Sequence, residues 1–279
     1  MSAPHLFASH AIAARIEAAD THQLARCYEA VAKHLPGRPA AMIEVGGGVA
    51  PFVGKGLSLS RATGLGMSGP VSDQDLDALE AFYQKHDAEA DIGVAPYADQ
   101  TLFNGLGRRG FRLVQLDTLL ALRIEPGTRF PPPAEGVTVR LAAPDEGPAW
   151  VRASIQGFSG SDSEVPAGLA ETFEAAFHVL TSSYFFATVD GVLAGTAGVN
   201  LHAGTATLFG ASTFPSSRCR GVQAALAHAR LAAAEAAGCD LAFTRTSPGS
   251  PSQRNLERLG FRPVYSRARM AKTYSKPTK

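Results

Sequence analysis

The sequence predicts an α/β (α+β) protein built as two similar domains in tandem, each a mixed, mostly antiparallel sheet flanked by helices. Three observations carry this expectation. Helix-period and strand-like apolar runs alternate along the chain, and three strand-like runs in the second half follow one another across tight turns. The segment Pro126-Gly-Thr-Arg-Phe-Pro-Pro-Pro133 is too rich in proline to continue a helix or a sheet, and it marks a break near the middle. Finally, Leu106-Gly-Arg-Arg-Gly-Phe-Arg112 recurs as Leu256-Glu-Arg-Leu-Gly-Phe-Arg262. Each copy reads as a helix end capped by glycine, with phenylalanine returning the chain to the core before a strand. A length of 279 residues suits two domains better than one. The expected division is a domain over 1–125, a linker over 126–135 and a second domain over 136–279.

Residues 9–34 carry apolar positions near a 3.6-residue period (Ala11, Ile12, Ile16, Ala19, Leu24, Cys27, Val31) and predict a helix, with Thr21 as a point where it breaks in two. Ala40–Val45 reads as a strand, Gly46-Gly-Gly48 as a turn, and Phe52–Leu59 as containing another strand. Ser72-Asp-Gln-Asp75 opens a helix reaching about His86. A strand (91–94), a helix (98–108) and a strand (111–124) complete the first half. The second half reads as strand 137–141, helix 145–157, a polar loop Ser159–Glu164, helix 167–180, and strands 184–189, 192–201 and 205–212. Asp190-Gly191 is a two-residue hairpin signal between the first pair of these strands, and His202-Ala-Gly204 turns the next. A helix (221–237), a strand (240–246), a helix (252–259) and a final strand pair (261–274) follow.

Composition excludes several classes. With 45% hydrophobic and 18% charged residues and a net charge of +1, the chain gives no support for nucleic acid or an anionic membrane as partner. No apolar run approaches the ~18 residues of a membrane span, and the N-terminus lacks the basic and apolar pattern of a secretion signal. Three scattered cysteines suggest neither a disulfide framework nor a zinc site, so a cytoplasmic setting without a metal is expected, as a monomer or a homodimer.

The most informative stretch is Ala211-Ser-Thr-Phe-Pro-Ser-Ser-Arg218-Cys-Arg-Gly-Val-Gln-Ala-Ala-Leu226, where a strand passes through a short turn into a helix. The first N–H groups of a helix lack internal partners and sit at its positive end. Arg218 and Arg220 add charge, and Gly221 lets a ligand come close to the backbone. A phosphate-bearing ligand is expected at Arg218–Gln223.

Arg218-Cys-Arg-Gly-Val-Gln223 resembles the pyrophosphate loop of the GNAT superfamily of N-acetyltransferases: an Arg or Gln, two residues, Gly, one residue, then Gly or Ala. Arg218 and Gly221 match, and Gln223 stands where the family has a small residue. Pro215 and the stretch Ser252-Gln-Arg-Asn-Leu-Glu-Arg-Leu-Gly-Phe261 extend the resemblance, and the order of elements from Val137 to Tyr274 covers the whole GNAT fold. The resemblance implies transfer of an acetyl group from acetyl-CoA to the primary amine of a small molecule or peptide, by direct attack on the thioester. It assigns the pyrophosphate to Arg218, Cys219, Arg220, Gly221, Val222, Gln223 and Ala224, and the pantetheine to the strand edge Ala211, Ser212 and Thr213. The first half resembles a degenerate GNAT copy: Gly66–Asp73 occupies the loop's place but lacks arginine, and Asp73 and Asp75 are expected to cap the helix themselves. Gly64-Leu-Gly-Met-Ser-Gly69 fits GxGxxG, but Pro70 and Ser72 intervene before the helix, so no nucleotide site is expected there.

The family's usual acid, a tyrosine four residues before the Gly-Phe glycine, is replaced here by Leu256. Ser252, Asn255 and Tyr265 are the substitutes to weigh. Asn255 reads equally as a coenzyme contact or a solvated helix residue, and Tyr265 also as a half-buried strand tyrosine. On the acceptor side, Phe158, Glu164 and His202 are the substrate-binding candidates, with Asp162 and His178 as further titratable groups. Each also has an ordinary role open to it: core phenylalanine, solvated loop acid, turn or core histidine. Cys219 has no sequence-adjacent His or acid to make it a nucleophile, but its place in the loop predicts that thiol reagents block coenzyme binding. The missing tyrosine keeps a second reading open, an acetyl-CoA-binding sensor without turnover.

Overall fold

The computed structural model describes residues 6–159 and 168–274. The chain forms two compact units: a C-terminal unit, Leu120–Arg262, and an N-terminal unit, Phe7–Leu119 joined by the chain from Pro263 onward. The dividing points differ from the expected ones at both ends. The proline-rich stretch is not a spacer. Phe130 packs on the core of the C-terminal unit, and the Gly127 N–H donates to Glu235 at 2.8 Å. The final strand, expected with the second domain, belongs to the N-terminal unit.

In the N-terminal unit, α1 (His10–His34) is one helix of 25 residues rather than two. Ala13, Ile16, Ala19, Leu24, Cys27 and Val31 keep a single buried stripe past Thr21, so nothing is gained by a break. The hairpin β1 (Ala41–Val45) and β2 (Gly48–Phe52) follows, then α2 (Asp73–Lys85), β3 (Ala90–Val94), α3 (Gln100–Arg108) and the start of β4 (Arg112–Arg123). The strand expected within 52–59 lies earlier, at 48–52. The last element, β10 (Arg262–Lys272), is one strand rather than a pair, and it lies antiparallel to β3 from Ala268↔Val94 to Lys272↔Ala90. A buried ionic cluster fixes it there. Arg267, 2% exposed, bonds Glu17 at 2.8 Å and Asp20 at 2.5 Å, two acids one turn apart on α1.

The C-terminal unit continues with β5 (Val137–Leu141), α4 (Gly147–Ser159), α5 (Leu169–Ala176), β6 (Ser182–Val189), β7 (Val192–His202), β8 (Thr205–Thr213), α6 (Val222–Ala236), β9 (Leu241–Thr246) and α7 (Pro251–Arg258). Its strand order is β9-β8-β7-β6-β5. Every neighbouring pair is antiparallel except β8 and β9. Asp190 and Gly191 both take positive φ (50° and 79°), the backbone of the tight hairpin their sequence calls for. On one sheet face Val199, Ala206, Leu208 and Ala242 pack with Leu226 and Leu231 of α6. On the other, Tyr184, Phe186 and Phe209 pack with Trp150 and Val151 of α4 and with Phe177.

The recurring segment keeps its geometry in both copies. The Phe111 N–H returns to the Leu106 carbonyl and the Phe261 N–H to the Leu256 carbonyl, each at 3.1 Å, with Gly110 and Gly260 at positive φ.

Candidate active site

The centre of the C-terminal unit is a fork in its sheet. The parallel pairing of β8 with β9 covers only Thr205↔Leu241, Ala206↔Ala242 and Thr207↔Phe243. Beyond Thr207 the two strands run on without a shared ladder, so the later part of β8 presents backbone groups on the side of β9. Its other edge stays paired with β7 through Ser212↔Thr196 and Thr213↔Gly195. The Phe214 N–H donates to the Ala194 carbonyl at 2.9 Å. Antiparallel alternation therefore points the Thr213 N–H away from β7 and into the fork.

A bulge bends this strand. The register shifts between Gly198↔Phe209 and Thr196↔Ser212, so Gly210 and Ala211 stand opposite Ala197 alone. Gly210 takes φ +59°, and a Cβ there would lie 3.0 Å from the Trp150 ring, so both conformation and space call for glycine. On the α4 side Gly157 comes so close to β8 that a Cβ would lie 2.2 Å from the Ser212 hydroxyl. The next residue, Phe158, is 65% exposed at the end of α4 and is not core.

From β8 the chain turns through Pro215–Ser217 into the segment that starts α6. Cys219 takes φ +61° and Gly221 +81°. Gly221 is the N-cap residue and no side chain caps the helix. The first helical bond runs from the Ala225 N–H to the Gly221 carbonyl at 3.0 Å, which leaves the N–H groups of Val222, Gln223 and Ala224 ahead of any intrahelical partner. A Cβ on Gly221 would sit 3.0 Å from the Ala134 Cβ. Arg218 and Cys219 are exposed. Arg220 pairs with Asp190 at the β6–β7 hairpin, 3.0 Å away, which ties its charge to the protein's own surface.

Three of the expected residues come together. Asn255 on α7 donates to the Gln223 side-chain oxygen at 2.6 Å, and the Gln223 amide reaches the Ser252 hydroxyl at 3.5 Å. Arg258 in turn donates to the Asn255 oxygen at 2.9 Å. Asn255 therefore lashes the first turn of α6 to α7. Leu256, in the family tyrosine's position, is 5% exposed in the apolar core and offers no proton.

Other expected residues are not brought to this place. Tyr265 lies in the N-terminal unit, where its hydroxyl donates to Glu17 at 2.6 Å; burial and the Glu17 carboxylate push its pKa up, which disfavours a proton-transfer role. Sequence proximity to the Gly-Phe segment placed it near the loop, but the strand that carries it is built into the other unit. His202 closes the β7–β8 hairpin opposite Thr205, at the joined end of the fork. At ~3.3 Å per residue the length of β8 puts it roughly 25 Å from Thr213. Glu164 and Asp162 lie outside the described residues. His178 lies just past α5, its ring edge-on to Phe177 at 6.4 Å.

One residue near the fork escaped the sequence reading. Arg230 of α6 is 2% exposed, and among the described residues it pairs with no carboxylate. Its Nε donates to the Leu226 carbonyl at 3.0 Å, and one terminal nitrogen donates to the carbonyls of Gly198 (3.5 Å) and Phe209 (3.4 Å). Burial pushes the guanidinium pKa down. The available signal was its spacing: it shares the buried stripe of Leu226, Ala227, Leu231 and Ala234.

The corresponding place in the N-terminal unit is closed. Ser72 and Asp75 form a capping box at the start of α2, the Ser72 hydroxyl accepting from the Asp75 N–H and the Asp75 carboxylate from the Ser72 N–H. Asp73 pairs with Arg108 and Arg109, both at 3.2 Å. The capping expected of Asp75 is present.

Residues 150–261 match the family model described as the acetyltransferase (GNAT) family. Among solved structures, the GCN5-related N-acetyltransferase from Kribbella flavida is similar over 95% of this chain and 96% of its own, with 22% identity and a TM-score of 0.66. A tandem GNAT protein from the clavulanic acid biosynthesis pathway is similar over 93% of this chain and 97% of its own, with 16% identity and a TM-score of 0.59. At these identities the likeness is one of fold. No curated protein sequence matches the chain. The fork, the bulged strand and the uncapped helix start all fall inside the matched segment, and residues 150–261 are a GNAT-family acetyltransferase domain in a chain with the tandem GNAT fold.

Proposed function

We propose that the C-terminal unit transfers an acetyl group from acetyl-CoA to a primary amine of a small molecule or peptide. The observation that carries this reading is the parallel pairing of β8 and β9 that ends at Thr207↔Phe243, on a strand that leads directly into a helix start without a side-chain cap. The residues present fit the coenzyme. The N–H groups of Val222, Gln223 and Ala224, with Gly221 open and Arg218 and Cys219 beside them, would hold the pyrophosphate. Arg220, already paired with Asp190, would contribute mainly by fixing the loop. Ala211, Ser212 and Thr213 would receive the amides of the pantetheine arm as a neighbouring strand would. When bound, the coenzyme supplies an activated acetyl thioester.

The chain's own residues then orient and polarise. A backbone N–H on the fork side of β8, nearer the Thr207 end than the Thr213 N–H that would take a pantetheine amide, would donate to an oxygen that gains negative charge there. Gln223, steadied by Asn255, fixes the helix start, and Ser252, whose hydroxyl meets the Gln223 amide, would be the candidate to give a proton to a departing thiolate. Phe158, exposed at the end of α4 beside the Gly157–Ser212 contact, would form a wall of the acceptor site. In the N-terminal unit the self-capped start of α2 supports a role without coenzyme.

The buried Leu256 favours a second reading, a protein that holds acetyl-CoA without turnover. Free coenzyme thiol measured with a panel of primary amines decides between them. Release with at least one amine supports transfer. Tight acetyl-CoA binding with no release above hydrolysis supports the sensor, and no binding at all rejects both.

A further inference from the structure

The bulge in β8 has a device behind it. Its two sides are the pairs Gly198↔Phe209 and Thr196↔Ser212, and the extra residues Gly210 and Ala211 lie between them. A bulge interrupts the ladder, so backbone groups at its margin lose regular partners and the strand bends there. The guanidinium of Arg230 donates to the carbonyls of Gly198 and Phe209, which are the two members of the last regular pair before the shift. The same side chain is tied to its own helix through the Leu226 carbonyl.

A charged group at 2% exposure with carbonyls as its partners is costly to keep, and an apolar residue would fill this helix face more readily. What the arginine adds is geometry. Its planar guanidinium holds Nε on the α6 carbonyl of Leu226 while one terminal nitrogen reaches two carbonyls on neighbouring strands, a span from helix to sheet that a methyl-bearing side chain cannot make and a single ammonium cannot hold as rigidly. It also joins the two parts of the site that have to stay in register: α6, whose first turn forms the anion cradle, and β8, whose edge enters the fork.

We propose that Arg230 is a positioning residue for acyl transfer, clamping the β8 bulge to α6 so that the Ala211–Thr213 edge keeps its aim into the fork. This deepens the proposed acetyltransferase function and rests on it for the effect on turnover. The clamp itself is a property of the coenzyme-free protein. Arg230 bonds none of the cradle N–H groups, so its loss should leave the pyrophosphate contacts in place; a loosened Ala211–Thr213 edge should weaken the pantetheine contacts modestly and fall chiefly on kcat.

The test uses the full chain with Arg230→Met and Arg230→Lys. Site-resolved amide hydrogen exchange without coenzyme should show the β8 amides that bond β7 around the bulge, up to Phe214, losing protection in Arg230→Met, while β5 and β6 keep theirs. Acetyl-CoA affinity by calorimetry should fall by no more than about tenfold, a smaller effect than that on kcat. With an accepted amine, kcat should fall roughly 100-fold with little change in KM, the size of effect seen when one oxyanion donor is lost. Arg230→Lys, which keeps a buried donor, should recover part of both the protection and kcat. Unchanged exchange and kcat in Arg230→Met would overturn the proposal. So would a loss of protection spread evenly over the unit, or failure of both variants to fold, since either makes Arg230 a residue of general stability. If the parent protein acetylates nothing, the acetyltransferase reading fails, while the exchange comparison still decides whether Arg230 clamps the bulge.

Discussion

Replacing Gly221 with aspartate puts a carboxylate at a helix start that no side chain caps. Two separate effects follow. The backbone at Gly221 has φ +81°, a region that costs an L-residue about 1–2 kcal/mol, and the new Cβ would press the Ala134 Cβ at 3.0 Å. Against a typical domain stability of ~5–15 kcal/mol, the variant should fold. The second effect is electrostatic. A carboxylate held about 4 Å from a phosphate, at an effective dielectric of ~20, is opposed by roughly 4 kcal/mol, or nearly a thousandfold in Kd. Gly221→Ala separates the two, because it carries the strain and the Cβ without the charge. Calorimetry with acetyl-CoA should show a loss of about three orders of magnitude for Gly221→Asp and a much smaller one for Gly221→Ala, with both proteins retaining native circular dichroism. A folded Gly221→Asp protein that binds acetyl-CoA like the parent would refute the placement of the pyrophosphate at this turn.

Three further expectations concern other parts of the molecule. Cys219 is exposed while Cys27 and Cys239 are buried, and burial pushes the Cys27 thiol up to about 12. A thiol reagent should therefore label one cysteine in the native protein and three after unfolding, and acetyl-CoA should slow the native labelling; rapid modification of Cys27 in the folded state would contradict the packing of α1. Arg267→Met strands Glu17 and Asp20 without their cation and should destabilise the N-terminal unit by about 3–5 kcal/mol, read as a lower denaturant midpoint for that unit. The Ser72 hydroxyl and backbone N–H hold the Asp75 carboxyl below its usual range, so its contribution is present above the unfolded value near ~3.9 and is lost as pH falls through the folded one. Melting of the parent should thus become more acid-sensitive than that of Asp75→Asn below about pH 4, by an amount near the ~1 kcal/mol of a helix cap; identical profiles would count against the capping box.

Local signals in the sequence located most elements. Ser72 and Asp75 cap α2 because a serine followed three residues on by an acid satisfies two helix-start N–H groups, and that chemistry is entirely local. The same holds for the Asp190-Gly191 turn and for the glycine-capped helix ends at Gly110 and Gly260. The helix start at Gly221 was legible for the same reason, since Gly221 and the helix after it are adjacent in sequence. Partners distant in sequence were not legible. Residues 261–274 read as strand, but partners roughly 180–250 residues earlier, β3 with Asp91 and the α1 acids Glu17 and Asp20, decide which unit receives Arg262–Lys272. Tyr265 was therefore placed by its neighbours in sequence rather than by its neighbours in space. Arg230 was passed over because a charged residue in an alanine-rich helix ordinarily faces solvent, and the carbonyls that hold it sit on two strands of the sheet.

The position of β10 also sets an order of events during synthesis. The N-terminal unit is interrupted after Leu119 and resumes at Pro263, so roughly 140 residues separate the bulk of its chain from the strand that completes it. At ~5–20 residues per second, the ribosome delivers that strand roughly 7–30 s after Leu119. Until then the β3 edge has no β10 beside it, and Glu17 and Asp20 have no arginine. The unit whose chain is begun first is thus the one that finishes last.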